Sequence, residues 1–513
     1  MRKINTYRFE IILFLLYFLL AAIIQFVYTQ HFIADDSYFY MTVARNIALS
    51  GQQTFSGIVP TNGVHPLWLY VLSLYSWISS LINSNYIYQP VSVIPISAMV
   101  LGSAAWFSWK SAHILGINRF VFTALPIGFL TTFPLLGSEA YVFYFCLSLL
   151  TLTAISSIGD TRYGHVLIGL TAALTFLARL DSIFFIVSFY LWYWITQKDF
   201  KRVCVSGAVA ALPALIYMIS NQVYFGSFFP ISGWLKSSFP NPLIIGFVWN
   251  GVSTRVLGYN LFFGVFPLVV STLILGLCRR SIPRQATVVY AFWGGSVMHF
   301  VYTGGFTVAD ALWYYVLPVV LVTFAVALAL RRFELSQRPA FSFLVFLGIV
   351  FSLVGYAIRD AVRHSPGEGE CETIYDYLVN NHIAHETIIA VDCPGQQAFR
   401  TTNHVIALDM LTANRRFVED MRDSPNGFQF ILDQAAREDK PATYLIWTTN
   451  TWLGALAPDR SLNTVSYLFR YPDEGAYRYV GTITSGRPLT IRPDLVVWKI
   501  PESANVPAPL NPD

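Results

Sequence analysis

Apolar runs long enough to cross a membrane succeed one another from residue 9 to about residue 358 and then stop. No other feature narrows the available folds so far, because a run of about twenty apolar residues can satisfy its backbone in lipid only as a helix. Composition agrees: 55% of the 513 residues are hydrophobic and 12% charged, whereas soluble domains are roughly half apolar and a quarter charged. The chain therefore reads as a polytopic α-helical membrane body over 1–358, followed over 359–513 by a domain of ordinary charge density. A net charge of +4 without a basic tract offers nucleic acid no surface.

Residues 9–29 lack a small-residue cleavage site and exceed a signal-peptide core in length, so they read as a retained first helix. Arg2, Lys3 and Arg8 ahead of it set the N-terminus in the cytoplasm. Further crossings are expected at 90–109, 120–136, 141–158, 163–178, 182–197, 203–221, 260–278, 286–303, 312–330 and 340–358, about eleven with the first. The stretch 65–83 is apolar but studded with Ser, Tyr and Trp. As a crossing it would carry Lys110 and Arg119 outside, so it is assigned as an interfacial helix within a first external loop, 31–84. Loop cations then fall mainly on the inner side; Arg45, Arg179, Lys236 and Arg255 are the exceptions before residue 359, and the C-terminal domain is extracytoplasmic.

In that domain 371–382 and 428–438 read as helices and 386–392, 404–408 and 443–447 as buried strands, the alternation of a small α/β domain. Strands near 463–471, 477–483 and 494–499 are expected to extend its sheet. The sequence carries no glycine-rich phosphate loop and no nucleophile elbow there, which favours an accessory or acceptor-binding role. Among the five cysteines Cys371 and Cys393 alone could pair; on an oxidising face a disulfide closing that loop competes with two free thiols. The tail from Pro501 is expected to be disordered.

The first external loop opens on Ala34-Asp35-Asp36-Ser37-Tyr38. Lipid cannot solvate two adjacent carboxylates at the mouth of a membrane helix, so they face water or a polar cavity. They are either an acidic cap on a helix starting near Ser37 or the seat of chemistry. Other polar residues gather on the same side. Glu139 lies on a short outer turn, as an exposed cap or a partner to the Asp pair. Arg179 and Asp181 bracket Leu180 at a helix end, as a self-neutralising pair or a substrate contact. Lys236 closes an aromatic loop from Phe225, snorkelling to a headgroup or meeting a lipid phosphate. Asp310, Trp313, Tyr314 and Tyr315 read first as an aromatic belt and second as substrate contacts.

These residues assemble a recognisable pattern: Asp35-Asp36-Ser37-Tyr38, then Ala44-Arg45-Asn46-Ile47-Ala48, then Pro60-Thr61-Asn62-Gly63-Val64-His65-Pro66-Leu67-Trp68. The pattern resembles the bacterial branch of the GT-C glycosyltransferases, which includes the mycobacterial terminal arabinofuranosyltransferase, the lipid A aminoarabinose transferase and, more distantly, the protein mannosyltransferases. The resemblance extends to Glu139, Arg179-Leu180-Asp181, Gly226 to Lys236 and Trp313-Tyr314-Tyr315. It implies a polyprenyl-phosphate-sugar donor, a glycan, lipid or protein acceptor, and a general base in the first external loop, Asp35 or Asp36. The motifs Asp392-Cys393-Pro394-Gly395 and Ala407-Leu408-Asp409-Met410 depart from that group.

The chemistry gives its own reasons. A phosphosugar already has a good leaving group, so one base and one means of holding phosphate suffice, unlike the paired acid and base of a glycosidase. Asp35 is the expected base, with inversion at the anomeric carbon; Lys236, with Arg179, would neutralise the departing phosphate. Asn62 and His65 are expected at the substrate, although His65 before Pro66 could equally cap its helix. A divalent cation (Mg, Mn or Ca) held by Asp36 and Glu139 with His65 could replace the basic side chains, though the spacing does not require one. The competing reading is a multi-pass transporter or flippase of lipid-linked sugars, since intramembrane charges also mark transport paths. Against it, the polar groups cluster at the outer helix ends, and only one half carries the acidic pair.

Overall fold

The computed structural model describes residues 33–132, 135–156, 163–237, 260–307, 311–333, 370–448, 456–458, 464–470, 477–492 and 495–505, with a few isolated positions besides. Most of the apolar segment 9–29, all of 340–358, the boundary at 358, Asp310, Arg255 and the tail beyond 505 lie outside the described residues.

The membrane body is helical. Helix α1 (Asp35–Ser50) and α2 (Pro66–Ile82) precede the first long apolar span among the described residues. They are followed by α3 (Ile94–Leu115), α4 (Arg119–Thr132), α5 (Ala140–Ile155), α6 (Gly164–Ala178), α7 (Ile183–Gln197), α8 (Phe200–Phe225) and the short α9 (Ile231–Lys236). Helices α10 (Phe266–Cys278), α11 (Val289–Phe306) and α12 (Val316–Arg332) complete it. Among the described residues four spans are long and apolar enough to cross a membrane, Pro90–Leu115, Phe200–Phe225, Asn260–Cys278 and Leu312–Arg332, with shorter apolar helices between them. This is the architecture of an integral membrane protein.

Local chemistry sets several boundaries. Helices α1, α3 and α8 each end at a glycine with positive φ, Gly51, Gly116 and Gly226, whose amide caps the last turn. Arg331 of α12 reaches the end of α3, donating to the Leu115 carbonyl at 2.6 Å, so two helix ends assigned to the inner side do meet. On α2, Trp68 is fully buried and donates to the Gly137 carbonyl, while Tyr70, Leu74, Trp77, Ile78 and Leu81 form an exposed stripe at helical spacing. The exposed Leu212, Leu215, Ile216, Ile219 and Val223 of α8 mark a helix turned toward lipid.

The C-terminal domain is α/β. Its five-stranded sheet has the order β2-β1-β3-β8-β7, built from β1 (Thr387–Ala390), β2 (His404–Ala407), β3 (Ala442–Trp447), β7 (Arg487–Arg492) and β8 (Leu495–Lys499). The first three are parallel and β8 and β7 antiparallel. The expectation that 463–471 and 477–483 extend this sheet is corrected. They form β5 (Val465–Arg470) and β6 (Tyr477–Ile483), which pair with β4 (Leu456–Pro458) as a separate three-stranded sheet. Helices α13 (Glu370–Asn380), α14 (Pro394–Arg400), α15 (Arg415–Asp423) and α16 (Gly427–Arg437) complete the domain. Cys371 and Cys393 are joined in a disulfide.

One hydrophobic core runs through both parts. Tyr38, Phe39 and Phe55 of the first external loop pack in the same cluster as Ala398, Phe399, Val405 and Leu411 of the C-terminal domain. Further ties cross the junction: Asn414 donates to the Pro60 carbonyl at 2.8 Å and Lys440 to the Gly57 carbonyl at 2.6 Å. The carbonyl of Leu411 comes so near Gly63 that a β-carbon there would sit 1.8 Å from its oxygen. The outer end of the membrane body and the C-terminal domain are thus packed as closely as a single interior.

Candidate active site

Helix α1 begins one step earlier than its sequence suggests, at Asp35, and neither aspartate caps it. The carboxylate of Asp35 turns to another helix instead. Its Oδ2 accepts from the amide of Gly395 at 3.1 Å and its Oδ1 from that of Gln396 at 2.8 Å, so it caps α14. A β-carbon at Gly395 would lie 2.4 Å from the Asp35 carbonyl oxygen, which is why glycine stands there. Ten residues along α1, the buried Arg45 holds the other end of α14, donating to the carbonyls of Phe399 at 2.6 Å and Ala398 at 2.8 Å. A carboxylate at the N-terminus and a guanidinium at the C-terminus match the dipole of that seven-residue helix.

Burial pushes the Asp35 carboxyl up to about 7; the two amide hydrogen bonds oppose this, and neighbouring Asp36 and Asp409 add to it. Asp36 is more exposed and faces Lys236, whose Nζ is 3.7 Å from its Oδ2. Asp409 completes this group from the loop after β2. Its Oδ1 accepts from the Leu411 amide at 3.0 Å. Burial lifts it to about 6, with the Leu411 hydrogen bond lowering it, Asp36 raising it and Lys236 lowering it. Asp36 and Asp409 thus share one lysine, whereas Asp35 is held by backbone amides.

Lys236 is positioned by the other loop. Asn62 grips the turn ahead of α9 with both ends of its amide, donating to the Phe229 carbonyl at 3.2 Å and accepting from the Ile231 amide at 3.3 Å. Ser232 donates to the Gly63 carbonyl at 2.7 Å. Asn62 therefore sets the loop rather than offering its amide to a ligand.

A second charged group lies deeper, around Arg179. Its guanidinium donates to Asp181 at 2.9 and 2.7 Å, to Glu139 at 2.9 Å and to the Trp313 carbonyl at 3.0 Å, and stacks 4.8 Å from the Tyr314 ring. Burial raises Asp181, but Arg179 and His299 outweigh it and hold the carboxyl well below the usual range; His299 Nε2 is 3.0 Å away. His65 makes no side-chain cap on α2. Its Nδ1 faces the Leu180 amide at 3.4 Å, which leaves Nε2 to point at Glu139, 4.0 Å off. Burial holds His65 below the ordinary imidazole value, despite Glu139, so it is neutral. Tyr40, a turn beyond Asp36 on α1, accepts from the His65 amide at 3.1 Å and hydrogen-bonds Glu139, so α1 joins the two groups.

Of the residues picked from sequence, Asp35, Asp36 and Lys236 form the outer group, and His65, Glu139, Arg179, Asp181, Trp313 and Tyr314 the inner one. Tyr315 belongs to neither. It is buried, and its hydroxyl donates to Asn260 at 2.9 Å within the bundle. The paired metal ligands also separate: Asp36 is ion-paired to Lys236 and Glu139 to Arg179. Among the described residues no three His, Cys, Asp or Glu side chains are disposed to hold a metal ion, so these carboxylates do not fit the divalent-cation site expected of them. Asp409, His299 and Tyr40 are additions. A lone histidine in an apolar helix was the available signal for His299, whereas nothing local marks Asp409.

No protein-family model matches the sequence, and no curated protein matches it significantly. Solved structures do match. The crystal structure of ArnT from Cupriavidus metallidurans bound to undecaprenyl phosphate superposes with a TM-score of 0.57 at 13% identity, covering 97% of this chain and 99% of that one. The cryo-EM structure of the arabinofuranosyltransferase AftD from Mycobacteria gives a TM-score of 0.47 at 12% identity, covering 95% of this chain and 40% of that one. Over 97% of its length the chain shares the fold of the ArnT structure.

Proposed function

We propose that this chain is a membrane glycosyltransferase that moves a sugar, with inversion, from a polyprenyl-phosphate donor to an envelope glycan, lipid or protein on the outer face of a bacterial cytoplasmic membrane. The observation that carries the reading is Asp35: a carboxyl with proton affinity near 7, held by two amides and preceding Asp36, which pairs with Lys236. A general base serves best when its pKa lies near the working pH. Each Asp35 oxygen accepts one amide hydrogen bond, which leaves lone pairs free to take a proton.

In this reaction the acceptor oxygen attacks the anomeric carbon as its proton passes to Asp35. The bond from that carbon to the phosphate oxygen breaks, and its electrons leave with the polyprenyl phosphate. Lys236 offers the phosphate a cation as it acquires charge. Asp36, which pairs with Lys236 at rest, keeps that cation in place until donor arrives. The disulfide suits an oxidising, extracytoplasmic placement of the C-terminal domain, and ArnT, of the same fold, was crystallised with undecaprenyl phosphate. The test is to supply purified protein in nanodiscs with radiolabelled polyprenyl-phosphate sugars and an envelope lipid and glycan extract. Label should move from donor to a new product. Movement of intact labelled donor across a proteoliposome membrane, without transfer, would instead establish a flippase.

A further inference from the structure

The amides that hold Asp35 stand immediately beyond Cys393. That cysteine adopts a left-handed backbone, φ 50° and ψ 41°, at the N-cap of α14, a conformation costly to a residue with a β-carbon. It is sustained from one side by the disulfide to Cys371. The same short segment is tied again where Gln397 donates to the Cys371 carbonyl at 3.3 Å and Gln396 to Glu372 at 3.0 Å. Glu372 in turn pairs with Arg400 at the end of α14. Arg45 secures only the carbonyl end of the helix. At its amide end the Asp35 carboxylate and the cross-link act together with Gln396 and Gln397, which reach α13, and with Thr448, whose amide and hydroxyl donate to the Asp392 carboxylate one residue before Cys393.

We propose that the Cys371–Cys393 disulfide is a positioning element for Asp35, aiming the Gly395 and Gln396 amides that fix the carboxylate where it meets the acceptor hydroxyl. Once the cross-link opens, Cys393 is free to relax to negative φ, and this rotates the next peptides, carrying both donors away from Oδ1 and Oδ2. Asp35 then loses its fixed rotamer, while Lys236 keeps its place on α9, whose first turn is held by Asn62 and by the Ser232 hydrogen bond to the Gly63 carbonyl. Donor binding and base positioning are therefore controlled by separate parts of the fold. The inference deepens the glycosyltransferase reading and rests on it for the effect on rate, but not for the geometry.

The experiment uses full-length protein in nanodiscs, with Cys204, the exposed free cysteine, replaced by serine so that reoxidation stays intramolecular. A dithiol reductant opens the bond by two-electron exchange and is itself oxidised to a cyclic disulfide. Two readouts follow, single-turnover sugar transfer and amide hydrogen exchange of the 394–400 peptide. On reduction the transfer rate is expected to fall about a hundred-fold, the scale of a slight misplacement of a reacting group. Affinity for the polyprenyl-phosphate donor should change less than about two-fold, and reoxidation should restore the rate. Protection of Gly395 and Gln396 should fall on reduction, and equally in Asp35→Ala with the disulfide intact. A Cys371→Ser, Cys393→Ser double variant should match the reduced protein and ignore reductant. Unchanged protection after complete reduction would overturn the proposal whatever the protein's activity. So would lost thermal stability with an unchanged transfer rate well below the melting temperature, since the bond would then be only a staple. Oxidised protein that transfers no sugar but shows both exchange effects would remove the enzyme reading and leave the coupling standing.

Discussion

The inner and outer charged groups contain similar residues under opposite conditions. Around Arg179, Asp181 and Glu139 each pair with the same guanidinium, and His299, the Trp313 carbonyl and the Tyr314 ring fill the remaining directions. Asp181 is driven far toward its charged form. Such a site is satisfied and has little capacity to take up a proton. Around Asp35 burial is met by amide dipoles and like charges, so the carboxyl titrates near neutrality. The bonding partner therefore separates scaffold from reagent: where a buried carboxylate is held by a bidentate guanidinium, the acid is inert; where it is held by neutral backbone amides and crowded by like charges, it stays reactive.

Substitutions can break that contrast. The largest effect is expected at Asp35. In Asp35→Asn, transfer should fall by ~100- to 10,000-fold, the usual value of a general base. Asn offers one acceptor oxygen to two amides, so hydrogen exchange of 394–400 should be read alongside to show that α14 remains docked. Arg179→Ala comes next, and its effect is on folding. Removing the cation strands Asp181 and Glu139 in a buried site, costing about 3–5 kcal/mol, measurable as a lowered melting temperature and poor recovery of monodisperse protein. An Arg179→Ala protein that melts like wild type while losing only activity would make the inner group part of the chemistry. Lys236→Ala is the smallest. Partly exposed, the pair with Asp36 should contribute less than about 1 kcal/mol to stability. Loss of the phosphate contact should still weaken donor use about ten- to a hundred-fold, the range of a charge-assisted hydrogen bond. Normal donor use in that variant would reduce Lys236 to a membrane anchor.

Much of this was legible from the chain. Apolar run lengths located the helices, and the rule that lipid does not solvate carboxylates drew attention to Asp35, Asp36, Glu139 and Asp181 before any coordinates. Partners were not legible. The amides that receive Asp35 lie 360 and 361 positions away, and no local pattern reports so distant a contact. Asp409 was hidden for the same reason, since only the docking of the 409–414 loop on residues 60–63 brings it in. Tyr314 and Tyr315 looked alike in sequence, but both lie in a 3-10 turn, where neighbouring side chains point about 120° apart, so one covers Arg179 and the other enters the bundle. The strands expected near 463–471 and 477–483 do form, at 465–470 and 477–483, but nothing along a single strand says which sheet it joins.

The central claim is that Asp35 is the proton acceptor because its environment lifts it to about 7. The most direct test is the pH dependence of kcat/KM for sugar transfer, which reports ionisations of the free enzyme. A base works only when deprotonated, so the rate should climb tenfold per pH unit below about 7 and level off above it. The residual activity of Asp35→Asn should lack that limb. An acidic limb near pH 4, where an unperturbed aspartate titrates, or a limb near 7 that persists unchanged in Asp35→Asn, would contradict the account.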